Sequence, residues 1–493
     1  MRAKISVNKN DIIDKIDRRI YGSFIEHLGR AVYNGIYEPS HESADECGFR
    51  GDVLSYVREL NVPIVRYPGG NFVSGYNWED GIGDKSLRPK KLDLAWLTTE
   101  TNEVGIDEFQ EWAKRAGTEI MMAVNLGTRG PDEARNLIEY CNSETDSYYA
   151  NLRRKNGFDE PFGIKLWCLG NEMDGHWQIC HKTAEEYGRV ATETAKVLKW
   201  VDPSIELVAC GSSDPNMPTY GEWERTVLEH TYDYVDYLSL HCYYGNRDGN
   251  TKNFLARAED MDRFIKKTAD ICDEIKKKKN SDKTIMLSFD EWNVWYRTKD
   301  EEKKMQRWQI APHLLEEKYN FEDALLVGCM LSTLQNNADR VKIGCLAQLV
   351  NVIAPIMTEN GGKVWKQTIF YPYMYASLYG NGTALKSAIE CDSYKSNEGW
   401  DIPYLCSSVV DCGDRVVVFA TNRSLDSDIS LSVELDGYDG YKLCEHIELY
   451  GELDSVNDKE KEEIKPVKRE ISDTPTLKKH SWNMLVYKNG MLQ

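Results

Sequence analysis

The sequence predicts an α/β chain: a (β/α)8 TIM barrel followed by a smaller, antiparallel, jelly-roll-like β-sandwich. Three observations predict it. Eight short apolar runs, spaced mostly 35 to 55 residues apart, are each followed by a helical pattern. After about residue 375 the texture changes to short strands separated by Gly, Asp and Asn turns. The rival doubly wound sheet calls for a Gly-rich phosphate turn after an early strand, and Pro68-Gly69-Gly70-Asn71 is not GxGxxG. With 493 residues, one large domain plus a smaller one is expected. The boundaries read as residues 16–374 for the barrel and 375–493 for the sandwich, with residues 1–15 (RAKISV above all) adding a strand to that sandwich.

The eight runs are Gly22–Leu28, Pro63–Asn71, Glu119–Leu126, Ile164–Glu172, Ile205–Ser213, Asp236–Tyr244, Thr284–Glu291 and Ile343–Val350. Each is nearly continuous in apolar residues, as expected of parallel strands buried on both faces. Amphipathic helices lie between them. Asp107–Ala116 sets Phe109, Trp112, Ala113 and Ala116 on one stripe. Thr183–Trp200 opens with Thr183 as cap and Glu186 three residues on. Asp260–Lys279 ends in a run of lysines, which suits a helix C-terminus and a solvated face. In the tail, 415–421, 428–435, 442–450 and 481–487 read as strands, and the charged stretch 457–470 as a loop.

Acidic residues number 80 against 61 basic ones, a net charge of −19. Nucleic acid and anionic membranes are therefore poor partners. No apolar stretch reaches signal-core or membrane-span length. The 13 cysteines are odd in number and show no CxxC. That pattern reads as reduced thiols in the cytoplasm and argues against structural zinc.

In such a barrel the C-terminal strand ends line the site. The first run leaves Glu26 and His27, the second Gly69-Gly70-Asn71, and the fourth Asn171-Glu172. The sixth leaves His241 and Tyr243, the seventh Asp290-Glu291, and the eighth Gln348. Carboxylates, amides and a phenol without clustered lysine or arginine suit a neutral, hydroxyl-rich ligand. Two carboxylates on separate strands are the minimum for a glycosidase, with about 5–5.5 Å between them for retention and about 6.5–9.5 Å for inversion. A lone strand-end Glu is more often a cap or an ion-pair partner, and the neighbours Asp290 and Glu291 compete for the same role. His27 and His241 have no third metal ligand at useful spacing; hydrogen bonding is the commoner use, and His241 is placed to orient a carboxylate. Trp78, Trp96, Trp177 and Trp295 follow strand ends, where sugar platforms and core packing are both open.

At these residues the chain resembles glycoside hydrolase family 51. The strings are YGSFIEHLGRAVYNGIY (21–37), VRYPGGNFVSGYNWEDGIG (65–83), MMAVNLGTRG (121–130), WCLGNEMDGHWQ (167–178), FDEWNVWY (289–296) and LAQLVNVIAP (346–355). They run almost the whole length. The resemblance implies an α-L-arabinofuranosidase with Glu172 as acid/base and Glu291, rather than Asp290, as nucleophile. It implies that Glu26, Asn71, Asn171, Tyr243 and Gln348 hold the arabinose ring. His176 departs from the pattern, which has Pro after Met-Asp-Gly, on the leaving-group side. The resemblance further implies an arabinofuranosyl oligosaccharide derived from arabinan or arabinoxylan as substrate. It implies no cofactor or metal, and a homo-oligomer, commonly a hexamer. Rival readings on the same barrel are a retaining endo-glucanase or β-xylosidase and a non-catalytic carbohydrate-binding protein; the paired Glu172 and Glu291 speak against the last.

Overall fold

The computed structural model describes residues 1–490, the side chains of 301 and 302 apart. Among the described residues, eight parallel strands close a barrel. In chain order they are Gly22–Phe24, Ile64–Tyr67, Glu119–Ala123, Leu166–Leu169, Glu206–Ala209, Tyr237–Tyr244, Met286–Val294 and Val341–Ala347. The ring closes where Val341–Ala347 pairs with Gly22–Phe24. Each strand falls within or beside its predicted run, but several are shorter than the run. Ile64–Tyr67 ends four residues before Asn71, and Leu166–Leu169 ends three before Glu172. Asn71 and Glu172 thus stand on turns that follow their strands, whereas Tyr243 and Glu291 lie within theirs, all at the mouth of the barrel.

Helices cover the outside, with their apolar stripes on the strands. Ile106–Ala116 buries Phe109, Trp112, Ala113 and Ala116. Ala184–Val201 opens with a reciprocal cap: Thr183 Oγ1 accepts from the Glu186 amide, and Glu186 accepts from the Thr183 amide at 2.9 Å. No helix among the described residues is long and apolar enough to cross a membrane.

The second unit is one nine-stranded sheet. It is mostly antiparallel, as expected, with one parallel pair. The N-terminal strand Arg2–Lys15 lies antiparallel to Thr383–Glu390 but parallel to Ile429–Asp436. A strand arriving from the far end of the chain is not bound to hairpin geometry, so either direction is open to it. The sheet has two apolar faces. Val416, Val418 and Ala420 join Ile5, Leu385, Leu431 and Leu485 in the sheet's own core. Val417, Phe419 and Trp482 face the barrel. There Trp482 lies against Gly328 of the helix Phe321–Asn336, where an added Cβ would sit 2.3 Å from the indole. Stretch 457–470 is largely irregular; Val467–Lys468 alone pairs with the neighbouring strand.

Candidate active site

The mouth of the barrel holds a cavity of about 380 Å³. Glu26, Asn71, Glu172, Tyr243, Glu291 and Gln348 line it, from six different strand ends. Asn171 is 1% exposed and lies just beneath them.

Glu172 stands on a strained turn. The chain leaves the fourth strand through Gly170 (φ 88°) and carries Glu172 at φ 43°, a left-handed conformation uncommon for a glutamate. Such strain at a pocket is a pointer to function. Glu172 Oε1 lies 2.9 Å from His241 Nδ1, and Oε2 accepts from Trp177 Nε1 at 2.7 Å.

Glu291 arrives by a different device. Strand alternation would send Asp290 and Glu291 to opposite faces. The seventh strand breaks register with both neighbours between Ser288 and Trp292. A bulge of this kind re-aims side chains beside a site. Both carboxylates consequently reach the interior. Asp290 Oδ1 takes His241 Nε2 at 3.0 Å and Ser239 Oγ at 2.6 Å, beneath the cavity. Glu291 Oε1 accepts from Arg66 at 2.6 Å, and Oε2 from Tyr243 OH at 2.8 Å. Of the two, Glu291 faces the cavity.

His241 joins the carboxylates. Its Nδ1 is 3.6 Å from Glu291 Oε2 as well as 2.9 Å from Glu172. Burial alone would lower its pKa; Glu291, Asp290 and Glu172 outweigh burial and raise it to about 10. The ring is therefore an imidazolium at neutral pH, donating from both nitrogens. Burial pushes Glu291 upward and Glu172 adds to this, while His241, Arg66 and Tyr243 pull it back. Burial works the same way on Asp290, but Arg66 and His241 win and hold it below the usual carboxylate range. One oxygen each of Glu172 and Glu291 and the His241 nitrogen lie within 4.8 Å of one another. These atoms could offer a divalent cation three ligands. It would have to displace the imidazolium proton and compete with Arg66 for Glu291.

The opposite wall is built around Glu26. Its Oε1 accepts from the Phe72 amide and from Trp96 Nε1, each at 2.8 Å. Gln348 spans its backbone and side chain, accepting from the Glu26 amide at 2.9 Å and reaching Oε2 at 3.4 Å. Burial raises Glu26 to about 8, with Glu291 and Asp93 adding to it against the two donors on Oε1. Glu26 is thus largely neutral at pH 7. The adjoining Gly69-Gly70 makes this possible: a Cβ on either residue would lie 2.5 Å from a Glu26 side-chain atom. Asn171 Oδ1 is pinned by Arg66 at 2.6 Å. Its Nδ2 has only long contacts to Asn71 and Gln178, at 3.4 and 3.5 Å, which leaves that donor for a ligand.

The tryptophans divide. Trp96, Trp177 and Trp295 line the cavity. Trp78 does not: it is 5% exposed and packs on Tyr140 and Tyr149 in the core. His27 is a core hydrogen bonder between Glu100 and Tyr67, at 2.9 and 2.8 Å. His176 is exposed beside Trp177, on the cavity's outer side. Arg66 is not among the sequence-predicted site residues. Its signal was there: it is the one charged residue within the buried run Ile64–Tyr67.

Comparison with known proteins gives a consistent result. Residues 56–266 match the family described as "Alpha-L-arabinofuranosidase 1 domain", and residues 290–482 match "Alpha-L-arabinofuranosidase C-terminal domain". The chain is 58% identical over 468 residues to the intracellular exo-α-(1→5)-L-arabinofuranosidase 1 of Bacillus subtilis (strain 168), covering 94% of this chain and 93% of that protein. It is 57% identical over 493 residues to the intracellular exo-α-(1→5)-L-arabinofuranosidase of Halalkalibacterium halodurans, covering 98% and 99%. Among solved structures, a family 51 α-L-arabinofuranosidase from Bifidobacterium longum superposes with a TM-score of 0.95 at 43% identity, over 98% of this chain and 99% of that one.

Proposed function

The chain belongs to glycoside hydrolase family 51 as an exo-acting, retaining α-L-arabinofuranosidase, and we propose that Glu291 is its nucleophile and Glu172 its acid/base. The observation that carries this reading is the pair's closeness: a Glu172 oxygen and a Glu291 oxygen stand within 4.8 Å. That closeness suits the shorter carboxyl separation of retaining enzymes rather than the longer one of inverting enzymes.

Arg66 and His241 face Asp290 and Glu291 as their cationic partners. One residue serves both steps: Glu172 enters the first as an acid, carrying the proton it will donate. Glu291 attacks the anomeric carbon while Glu172 gives that proton to the departing oxygen. Glu291 is then an ester and carries no charge. Glu172 has given up its proton in the first step. It can take a proton from the incoming water, which releases arabinose with the starting configuration. Asn171 Nδ2 is placed for the sugar 2-hydroxyl, a contact that strengthens as the ring becomes oxocarbenium-like. Glu26, Asn71, Tyr243 and Gln348 hold the remaining hydroxyls, and a sugar lacking one leaves a buried partner unpaired.

The relatives' names support α-(1→5)-linked arabino-oligosaccharide as the preferred substrate, and a cytoplasmic location. A homo-oligomer is the expected assembly; light scattering of the purified chain checks it. The function is tested by proton NMR of the first-formed sugar from a defined arabinofuranoside, which must be L-arabinofuranose of retained configuration. With Glu172→Ala, turnover of an activated aryl arabinofuranoside should survive far better than that of a natural arabinoside. Azide should then speed it and appear in the product. Wild-type rates on a natural arabinoside from both Glu172→Ala and Glu291→Ala would refute the assignment.

A further inference from the structure

Beyond the sugar-holding wall, one side of the cavity carries a charge that nothing uses. Lys299 lines the cavity and is its one cationic lining residue. It follows the seventh strand, five residues past the end of that strand at Val294. Its Nζ sits over the Trp295 ring, 4.9 Å from the centroid. Trp295 is itself fixed edge-on to Tyr243 and by a hydrogen bond to Thr298. Among the described residues Lys299 makes no hydrogen bond and no ion pair.

The surroundings explain why. Burial lowers the Lys299 pKa first, and the neighbouring Arg247 lowers it further, against Asp214. Asp214 is the one carboxylate on that stretch of the lining outside the catalytic pair. It is already engaged in its own turn, accepting from the Asn216 amide at 2.8 Å and from its side chain at 2.9 Å. Arg247 is exposed and likewise has no ion pair among the described residues. Lys299 therefore stands at the mouth as a cation with no carboxylate bonded to it among the described residues. This stands out on a chain of net charge −19, whose general field repels anions.

The position matters. Glu26, Gly70, Asn71 and Gln348 belong to the wall that holds the sugar, whereas Trp177, Asp214, Trp295 and Lys299 belong to the remainder of the lining. Glu172 lies at this second wall through Trp177, and the leaving group must depart past the acid/base. A leaving group thus meets Lys299, with Arg247 in its electrostatic field.

We infer that Lys299, with Arg247 behind it, selects leaving groups bearing a carboxylate: the enzyme accepts arabinofuranosyl units borne on a uronic acid, as well as on neutral sugars. The partly buried ammonium, with its stem against an aromatic face, is already ordered, so little side-chain entropy is lost on pairing. Its charge is weakly screened by the cavity walls, which strengthens the pairing relative to an open surface.

This inference rests on the assignment of Glu172 and Glu291, and the test separates the two. A matched pair of disaccharides is needed, one with α-L-arabinofuranose on methyl galacturonoside and the other on methyl galactoside, identical but for the carboxylate. Cleavage of the galactoside reports the function itself. The ratio of kcat/KM for uronate over neutral reports Lys299. In Lys299→Met, which keeps the apolar stem over Trp295, the ratio should fall about five- to tenfold, whatever happens to the absolute rates. In the wild type it should also fall as salt is raised, because screening weakens the pair. A ratio unmoved by both Lys299→Met and salt overturns the inference while leaving the arabinofuranosidase intact. If the wild type cleaves neither disaccharide while it still releases arabinose from an α-(1→5)-linked arabinobiose, the inference is overturned and the function stands; if it cleaves none of the three, the function fails and this inference falls with it.

Discussion

Glu172 and Glu291 turn toward a single atom: His241 Nδ1 lies 2.9 Å from the first and 3.6 Å from the second. The imidazole is thus the joint through which the state of one carboxylate is felt by the other. Its far nitrogen is anchored at 3.0 Å to Asp290, which is below the cavity and outside the chemistry.

His241 should therefore leave an alkaline signature. Its folded-state pKa of about 10 exceeds its ordinary value of 6.5. A raised value means that the stabilisation is fully present below about 6.5 and is lost as pH rises through about 10. Thermal unfolding followed across that window should show a falling limb that His241→Asn flattens. The same substitution should lower kcat about a hundredfold, by analogy with the loss of one preorganised donor. An unchanged alkaline limb would remove the imidazolium from the account.

Arg66 is 1% exposed and bonds Glu291 through one nitrogen and Asn171 through another. Arg66→Met leaves two buried carboxylates, Asp290 and Glu291, with only one of their two cations, His241. Removal of one partner from a buried pair costs about 3–5 kcal/mol, so the urea midpoint should drop clearly. Arg66→Lys cannot span both acceptors and should recover stability better than kcat.

Glu26 gives a test with an isostere. With its pKa raised to about 8, the side chain is mostly a neutral acid at pH 7. Glu26→Gln keeps a neutral group with a donor on one side and an acceptor on the other. It should hold kcat/KM at pH 7 within about tenfold of wild type, whereas Glu26→Ala should lose about a hundredfold or more. In the wild type, substrate binding should weaken as pH rises through about 8, and that weakening should vanish in Glu26→Gln. Equal damage from Gln and Ala would mean that the carboxylate form binds the sugar.

The barrel was legible because its strands are buried on both faces, so that runs such as LWCL stand out from the helical periods around them. The cavity's carboxylates were legible for the complementary reason: an apolar run ending in Asn-Glu or Asp-Glu breaks where the chain meets the mouth. Local signals also came through, as at the Thr183 cap. Other features depend on partners far along the chain. Asn8 meets Asp436 only because the first strand joins the last domain, and nothing in RAKISV states whether it lies parallel to that neighbour. Asp290 and Glu291 both point inward because of a bulge, and alternation alone cannot announce one. The tryptophans show the same limit. Trp96 and Trp177 use their indole N–H groups to orient Glu26 and Glu172, while Trp78 is core; all three look alike in the sequence.

The central claim is covalent capture on Glu291. The most direct measurement uses Glu172→Ala, in which the second step lacks its base, mixed with an activated aryl arabinofuranoside and quenched in acid. Peptide mapping by mass spectrometry should find one pentosyl unit attached to the peptide containing Glu291, and none after Glu291→Gln. A pentosyl adduct on Asp290 or another residue, or none despite a burst of released aglycone, would contradict it.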